Sequence, residues 1–369
     1  MFAGRWLMRS LRAGDLVHLH WPSFHYQAPG RLALLRSFAR FVLLLSLMRW
    51  RGARIAWTAH NLLPHQASAI PALDRLARRI VLKRADWVLV HGGQAAQLLQ
   101  ESFPFDPRKL LLIPHGHFAG QYAGSLTKAQ ARELLGLKQQ TPVLLMLGQC
   151  KPYKNVEGLI RLHRQRNDEV QLLIAGSFAD PGYEAKCRRE AAGDPRIHLH
   201  AGYIDDDRIQ TFLAAADLFV IPYREILTSG SAVLAASHGL PVVSIDRGFL
   251  RDFVTAEMGI LYPPDEEQGL ALAIDQALAR RWDADRIKTL ALTHRYEDAA
   301  RIMLEAAGRW RPAHAGELRL GASKLPWQVW PDNTTKVLRA TKMCGSFSAS
   351  RASRRARPPQ QRGSFPLAG

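Results

Sequence analysis

The sequence predicts an α/β chain made of two open parallel sheets, each covered by helices. Three observations predict it. Short apolar runs of strand length alternate with segments of helix length over most of the chain. The runs are apolar on both faces, as strands buried between helical layers are. The charge pattern breaks in step with a polar interruption. Residues 1–140 hold 19 Lys and Arg against 6 Asp and Glu, a balance of +13. Residues 141–311 hold 21 against 24, a balance of −3, and residues 312–369 hold 10 against 2, a balance of +8. Three zones of different charge are domain information.

The elements follow in order. Asp15–His20, Arg54–Ala59, Trp87–His91 and Leu110–Pro114 form a first series of strands. Val143–Gly148, Val170–Ala175, Ile197–Ala201, Leu218–Pro222 and Pro241–Ser244 form a second. Helices are expected over Pro71–Ala85, Lys128–Leu137, Asn155–Arg166, Asp206–Ala216 and Gly230–His238, among others. The polar stretch Gly136–Pro142 separates the two series. The expected domains are therefore 1–138, 139–311 with its last helices expected to cross back, and a basic tail 312–369. From Ala349 that tail is rich in Arg, Ser, Pro and Gly. It lacks the apolar residues needed to fold alone, so disorder is expected.

Composition excludes several classes. A chain of 369 residues that is 47% hydrophobic and 22% charged is globular rather than fibrous, disordered or membrane-spanning. Cys150, Cys187 and Cys344 are odd in number and far apart. They form neither a disulfide framework nor a metal cluster, which points to a reducing, cytoplasmic location. The Asn-x-Thr sequon at Asn333 stands without any other sign of secretion. The net charge of +18 is not interleaved with aromatics and no nucleic-acid-reading module is visible, so no nucleic-acid partner is expected.

Leu32–Trp50 is the most membrane-like stretch. Arg36 and Arg40 interrupt it, and its longest uncharged apolar run, Phe41–Met48, is too short to span a bilayer. Two readings stay open. One is a helix packed in the core. The other is a helix lying on the inner face of a membrane, with Arg31, Arg36, Arg40, Arg49, Arg51 and Arg54 near anionic headgroups.

Two segments carry the chemistry. Gly148–Asn155, GQCKPYKN, follows a buried strand. Gly148 permits a sharp turn at the strand end, and Lys151 and Lys154 place two cations at the sheet's mouth. A departing diphosphate gains negative charge and needs such cations. Without a ligand the same segment is a solvated turn. Ile221–Val243 runs from a strand through the loop Arg224–Gly230 into a small-residue helix closed by Gly239. Thr228, Ser229 and Gly230 sit at that helix N-terminus, where free amides and the helix dipole attract phosphate. Without a ligand, Ser229 is a plain helix cap. Asp205-Asp206-Asp207 looks like a metal motif, but acids at a helix start are favoured by the dipole alone, so no metal site is expected.

In this order the two segments resemble the GT-B glycosyltransferases, similar to glycosyltransferase family 4. Gly148 with Lys151 and Lys154 matches the strand-end Gly followed by basic residues that grip the donor diphosphate. Pro222, Gly239, Pro241 and Val242 match the later family pattern, and Thr228–Ser231 fill the place of its phosphate-binding loop. The family's paired glutamates would fall at Ile226 and Leu234. Neither is acidic; Glu225 is adjacent to the first position and no carboxylate replaces the second. The Ile226–Ala232 loop is closer to divergent exopolysaccharide transferases similar to GDP-mannose:glycolipid 4-β-mannosyltransferases. Gly202-Tyr203-Ile204 resembles the loop against the nucleotide base.

The first half adds histidines at strand ends, which face the cleft of an open sheet. His60 resembles the family histidine near the transferred sugar, where it bonds the sugar or relays the acceptor proton. His20 and His115 are further cleft candidates. The resemblance thus implies two Rossmann-like domains facing a cleft and metal-independent hexosyl transfer, mannose favoured, with no cofactor. The expected donor is a nucleotide diphosphate sugar such as GDP-mannose; the acceptor is a lipid-linked sugar or glycan. It implies His60 and Glu225 as catalytic residues. Gly148, Lys151, Lys154, Tyr203, Thr228, Ser229 and Gly230 would bind the donor. Only residues 1–14 precede the first strand, so the family's first βα unit is expected to be missing. The alternatives are an inactive or truncated binding protein and a nucleotide-sugar epimerase on the same architecture.

Overall fold

The computed structural model describes residues 11–64, 66–122, 124, 126–266, 268–308, 327–329 and 335–338. The first sheet carries β1 (Leu16–Leu19), β2 (Arg54–Thr58), β3 (Trp87–Val90) and β4 (Leu110–Leu112), parallel and in that spatial order. The second carries β5 (Val143–Leu147), β6 (Gln171–Gly176), β7 (Ile197–Ala201), β8 (Leu218–Ile221), β9 (Val242–Ile245) and β10 (Gly259–Tyr262). Its order is β10-β9-β8-β5-β6-β7, again all parallel. Each expected strand is present within one or two residues; β10 is an addition.

The order of the second sheet turns at β5 and β8. Strands to one side follow β5, and strands to the other follow β8. Ligands of open α/β sheets sit outside the carboxyl ends at such a switch point. Here those ends lead into the Gly148 and Pro222–Gly230 segments.

The first sheet is two-sided. On one face, Val17, Leu19, Ile55, Trp57, Val88 and Val90 join the main core with the helices Arg31–Trp50 and Pro71–Arg84. Trp57 is fully buried, and the Arg78 guanidinium lies 4.2 Å from its ring centroid. On the other face, Leu16, Ala56, Leu89 and Ile113 pack with Met303 and Ala307. The helix Tyr296–Ala306 therefore crosses back from the second half to cover the first sheet, and Arg54 Nη1 donates to Ala307 O at 3.3 Å.

Two expectations need adjusting. The helix Lys128–Leu134, placed in the first domain by a boundary at 138, packs on the helix Asp206–Ala215 of the second. Arg132, buried, pairs with Asp217 at 2.5 Å and donates to Ala215 O. The polar interruption at Gly136–Pro142 is thus an internal loop, and the boundary lies before this helix. The tail is also not uniformly unordered. Trp327–Val329 (β11) and Thr335–Leu338 (β12) are strands, and β12 pairs antiparallel with β1. The open edge of β1 offers unpaired backbone groups that such a segment satisfies. The rest of 309–369 lies outside the described residues, as do residues 1–10, on which the expected missing βα unit bears.

The helix Arg31–Trp50 is packed in the core along one side and exposed along the other. Leu34, Phe41, Leu44, Leu45 and Met48 are buried in the core. Leu32, Leu43 and Trp50 are 62%, 66% and 78% exposed. Their spacings of 11 and 7 residues are whole helical turns, so they share the outer face.

Candidate active site

The end of β5 builds the first wall. Gly148 turns the chain at φ 121, and Gly176 at the end of β6 lies directly against the Gly148 carbonyl. A Cβ at Gly176 would sit well inside van der Waals contact distance of that carbonyl, so only glycine lets the two turns approach. Gly148 N donates to Ala175 O and Cys150 N to Ser177 O, which fixes the loop to β6. Burial pushes the Cys150 thiol up to about 12, so it is a packing group.

The short turn Pro152–Lys154 then points Lys154 back under the strand end. Its ammonium lies 5.0 Å from the Tyr223 ring centroid and 3.5 Å from where a Cβ on Gly148 would stand. Lys154 is only 8% exposed, and among the described residues it forms no ion pair. Burial acts to lower its pKa, but the Tyr223 and Tyr153 hydroxyls outweigh burial and the net direction is upward. Lys151 is lowered by burial and by Lys154 itself, so the two cations share one locus.

The end of β8 builds the opposite wall. Arg224 N donates to Tyr153 O at 2.9 Å and joins the two loops. Ser229 caps the helix Gly230–Ser237, its Oγ accepting from Ala232 N. The Thr228 hydroxyl is buried without a partner among the described residues. Ser231 Oγ faces the Gly148 turn.

The first sheet supplies a row of imidazoles. Alternation puts His18 and His20, Thr58 and His60, then His91 and His115, on the face that carries Leu16, Ala56, Leu89 and Ile113. Ring centroids are 4.2 Å apart for His18–His20, 5.2 Å for His20–His60, 5.9 Å for His60–His91 and 4.8 Å for His91–His115. His20 Nδ1 and His60 Nε2 share a hydrogen bond of 2.9 Å; His18 Nε2 and Thr58 Oγ1 share one of 2.7 Å. Trp21 stacks on His60 at 4.6 Å. These groups line a cavity of about 340 Å³ closed by Tyr296, Ala299, Ala300 and Met303. Burial holds His60 well below the ordinary imidazole range, lowers His115 and takes His91 down to about 3. His60, His91 and His115 are thus held toward the neutral form.

His115 also approaches the second domain, 3.5 Å from where a Cβ on Gly230 would stand. Phe118 N donates to Ser237 Oγ at 3.0 Å beside it. The structure therefore brings His20, His60 and His115 together and sets His115 against the Ser229–Gly230 helix start. Gly148, Lys151, Lys154, Ser229 and Gly230 gather at the switch point. Glu225 is exposed and lines a different cavity, about 480 Å³, with Asn61, Arg75, Tyr153 and Arg247. Tyr203 is 75% exposed on the loop after β7. Asp205–Asp207 lie at the start of the helix Asp206–Ala215. Sequence reasoning missed Tyr223, Gly176, His18, His91 and Trp21. Alternation within each strand puts these histidines on one face, and the strand register then aligns them into the row.

Comparison with known proteins fits this geometry. Residues 127–297 match the family model of glycosyl transferases group 1. A GDP-mannose:glycolipid 4-beta-D-mannosyltransferase of Xanthomonas campestris pv. campestris is 29% identical over 237 residues, 62% of this chain and 61% of that protein. The chain thus spans about three fifths of the length of this curated relative. A lipopolysaccharide core biosynthesis mannosyltransferase of Rhizobium meliloti is 26% identical over 73% of this chain and 72% of its own. Among solved structures, HepE of Anabaena in complex with UDP-glucose aligns at TM-score 0.59 and 18% identity over 74% and 75% of the two chains. A sucrose-phosphate synthase of Thermosynechococcus elongatus aligns at 0.56 and 24% over 76% and 77%. Residues 127–297 thus carry a glycosyl transferases group 1 domain, and the fold of the chain resembles that of these solved structures.

Proposed function

We propose that the chain transfers a hexose, mannose favoured, from a nucleotide diphosphate sugar to a lipid-linked or glycan acceptor. The observation that carries this reading is Lys154: a buried cation among tyrosines, without a carboxylate partner among the described residues, at the switch point and beside a helix N-terminus. Burying a charge is costly unless something compensates it. The tyrosine hydroxyls offset part of that cost, a diphosphate would supply the counter-charge, and Lys151 with the Ser229–Gly230 amides would hold the same diphosphate. These groups, rather than a metal ion, meet the charge that develops on the leaving diphosphate. The acceptor hydroxyl approaches from the histidine row, with His60 as its base. Mannose is favoured by the mannosyltransferase relatives.

The test is a thermal-shift screen of GDP-mannose, UDP-glucose and ADP-glucose. A ligand at 100 times its Kd adds about 2.7 kcal/mol, which reads as several degrees. GDP-mannose is expected to give the largest rise, and the Lys154→Met variant none. A melting point indifferent to every nucleotide sugar would overturn the reading. A second reading, binding without turnover, rests on Leu234 standing where the family resemblance has a glutamate. It is distinguished by a thermal shift without sugar transfer.

The partner surface on this reading is an anionic membrane. Leu32, Leu43 and Trp50 form the outer face of the helix Arg31–Trp50, which also exposes Arg31, Arg36 and Arg40 and carries no acid. Each cation near an anionic leaflet contributes about 1 kcal/mol. No helix among the described residues is long and apolar enough to cross a membrane. The chain is expected to sediment with phosphatidylglycerol vesicles at low salt, and the double variant Leu43→Glu, Trp50→Glu to stay in the supernatant. Equal sedimentation of the two proteins would exclude this face.

A further inference from the structure

The hydrogen bond between His20 and His60 has a chemical consequence, which rests on the glycosyltransferase reading. A neutral imidazole has one N–H and one lone pair, and whatever bonds one nitrogen decides what the other does. His60 meets His20 through Nε2. For His60 to take a proton at Nδ1, its Nε2 must carry the hydrogen, and His20 Nδ1 must accept it.

We propose that His20 is the positioning residue of this site: its Nδ1 accepts from His60 Nε2–H and so leaves His60 Nδ1 as the base for the acceptor hydroxyl. In the transfer step the hydroxyl proton passes to His60 Nδ1. The oxygen's electron pair forms the new bond to the anomeric carbon. The bond from that carbon to the diphosphate oxygen breaks, and its electrons leave with the diphosphate. His60 becomes an imidazolium with Nε2–H still held by His20, then releases its proton to water.

The surroundings suit a neutral partner. His60 is faced by His18 and His20 from β1, His91 from β3 and His115 beyond β4. Trp21 stacks on it and Tyr296 lines the same cavity from the final helix. Among the described residues no Asp, Glu, Lys or Arg lines that cavity. An aspartate in the partner position would stabilise the imidazolium and hold His60 protonated at neutral pH. His20 instead orients His60 without adding charge, so the ring stays a free base. Burial and the neighbouring imidazoles act in the same direction.

The test uses the full chain with ¹⁵N-labelled histidine, His60 being assigned by its loss in His60→Gln. Long-range ¹H–¹⁵N spectra at neutral pH are expected to report His60 as the Nε2–H tautomer. His20→Asn, which keeps an acceptor near the Nδ1 position, is expected to preserve that tautomer; His20→Leu is expected to lose it. In transfer assays His20→Leu should lower kcat roughly 30-fold with little change in KM, and His20→Asn should recover most of the loss. His20→Asp should move the acidic limb of the kcat profile upward by about one pH unit or more. An Nδ1–H tautomer of His60 in the unmodified chain overturns the proposal, as does an equal kcat for His20→Leu. Absence of transfer by the unmodified chain from any GDP-, UDP- or ADP-hexose, with the Nε2–H tautomer present, would overturn the transferase reading instead.

Discussion

Lys154→Met is expected to lower kcat for sugar transfer about 10²–10³-fold, or about 2.7–4 kcal/mol of transition-state stabilisation. The same change should alter the melting point of the unliganded protein only slightly. The two effects have one cause. In the free protein Lys154 is a cation only 8% exposed, with tyrosine rings and hydroxyls around it but, among the described residues, no carboxylate partner. Methionine fills similar volume and has no charge to desolvate, which offsets the lost contacts to the tyrosines, so the resting fold changes little. In the transition state the missing cation faces a diphosphate taking up an electron pair, and nothing nearby replaces it. Lys151 is close enough to feel Lys154 but belongs to the same cluster rather than a spare one. Steady-state kinetics beside a melting curve measure both halves. Transfer at the unmodified rate would remove Lys154 from the site.

Gly176→Ala is expected to act on the same site from behind. The new methyl would collide with the Gly148 carbonyl, a backbone group rather than a flexible side-chain tip. The chain also adopts φ 151 there, which disfavours a side chain. One of the two turns must shift, and the Gly148 turn is tied to the neighbouring strand and loop through Ala175 and Ser177. Overpacking of this kind costs about 1–3 kcal/mol of stability. A displacement near 1 Å at a positioning loop costs about 10²-fold in rate. Alanine should therefore lower the melting point and turnover together, in contrast to Lys154→Met. A stable, fully active alanine variant would show that the donor loop does not depend on this close approach.

Much of the fold was legible because its strands are buried on both faces. Runs such as Val143–Leu147 and Leu218–Ile221 have no polar face to confuse with a loop. β10 escaped because Gly259–Tyr262 is short, begins with glycine and is only part-buried after its first residue. The boundary at 138 misled because the interruption at Gly136–Pro142 is polar for a local reason, a loop between a helix and β5, while Arg132 ties that helix to Asp217 across the second domain. At the site, Lys154 was legible as a cation after a strand-end glycine. Tyr223 was not, since its approach to Lys154 depends on how β5 and β8 lie side by side. Strand-end histidines were visible one by one. Their alignment into a row required the register of four strands, which no local pattern encodes.

The helix Tyr296–Ala306 has a consequence for how the protein is divided. It follows the second domain in the chain, yet Met303 and Ala307 complete the core beneath β1, β2 and β3. Tyr296 presses on Gly116, and His117 N donates to His294 O at 2.8 Å. A gene fragment ending anywhere between the two sheets therefore encodes a first half with one apolar face bare, and a second half with an apolar helix that has nothing to cover. A domain-swapped chimera is therefore expected to keep its first core only if the crossing helix travels with the N-terminal partner.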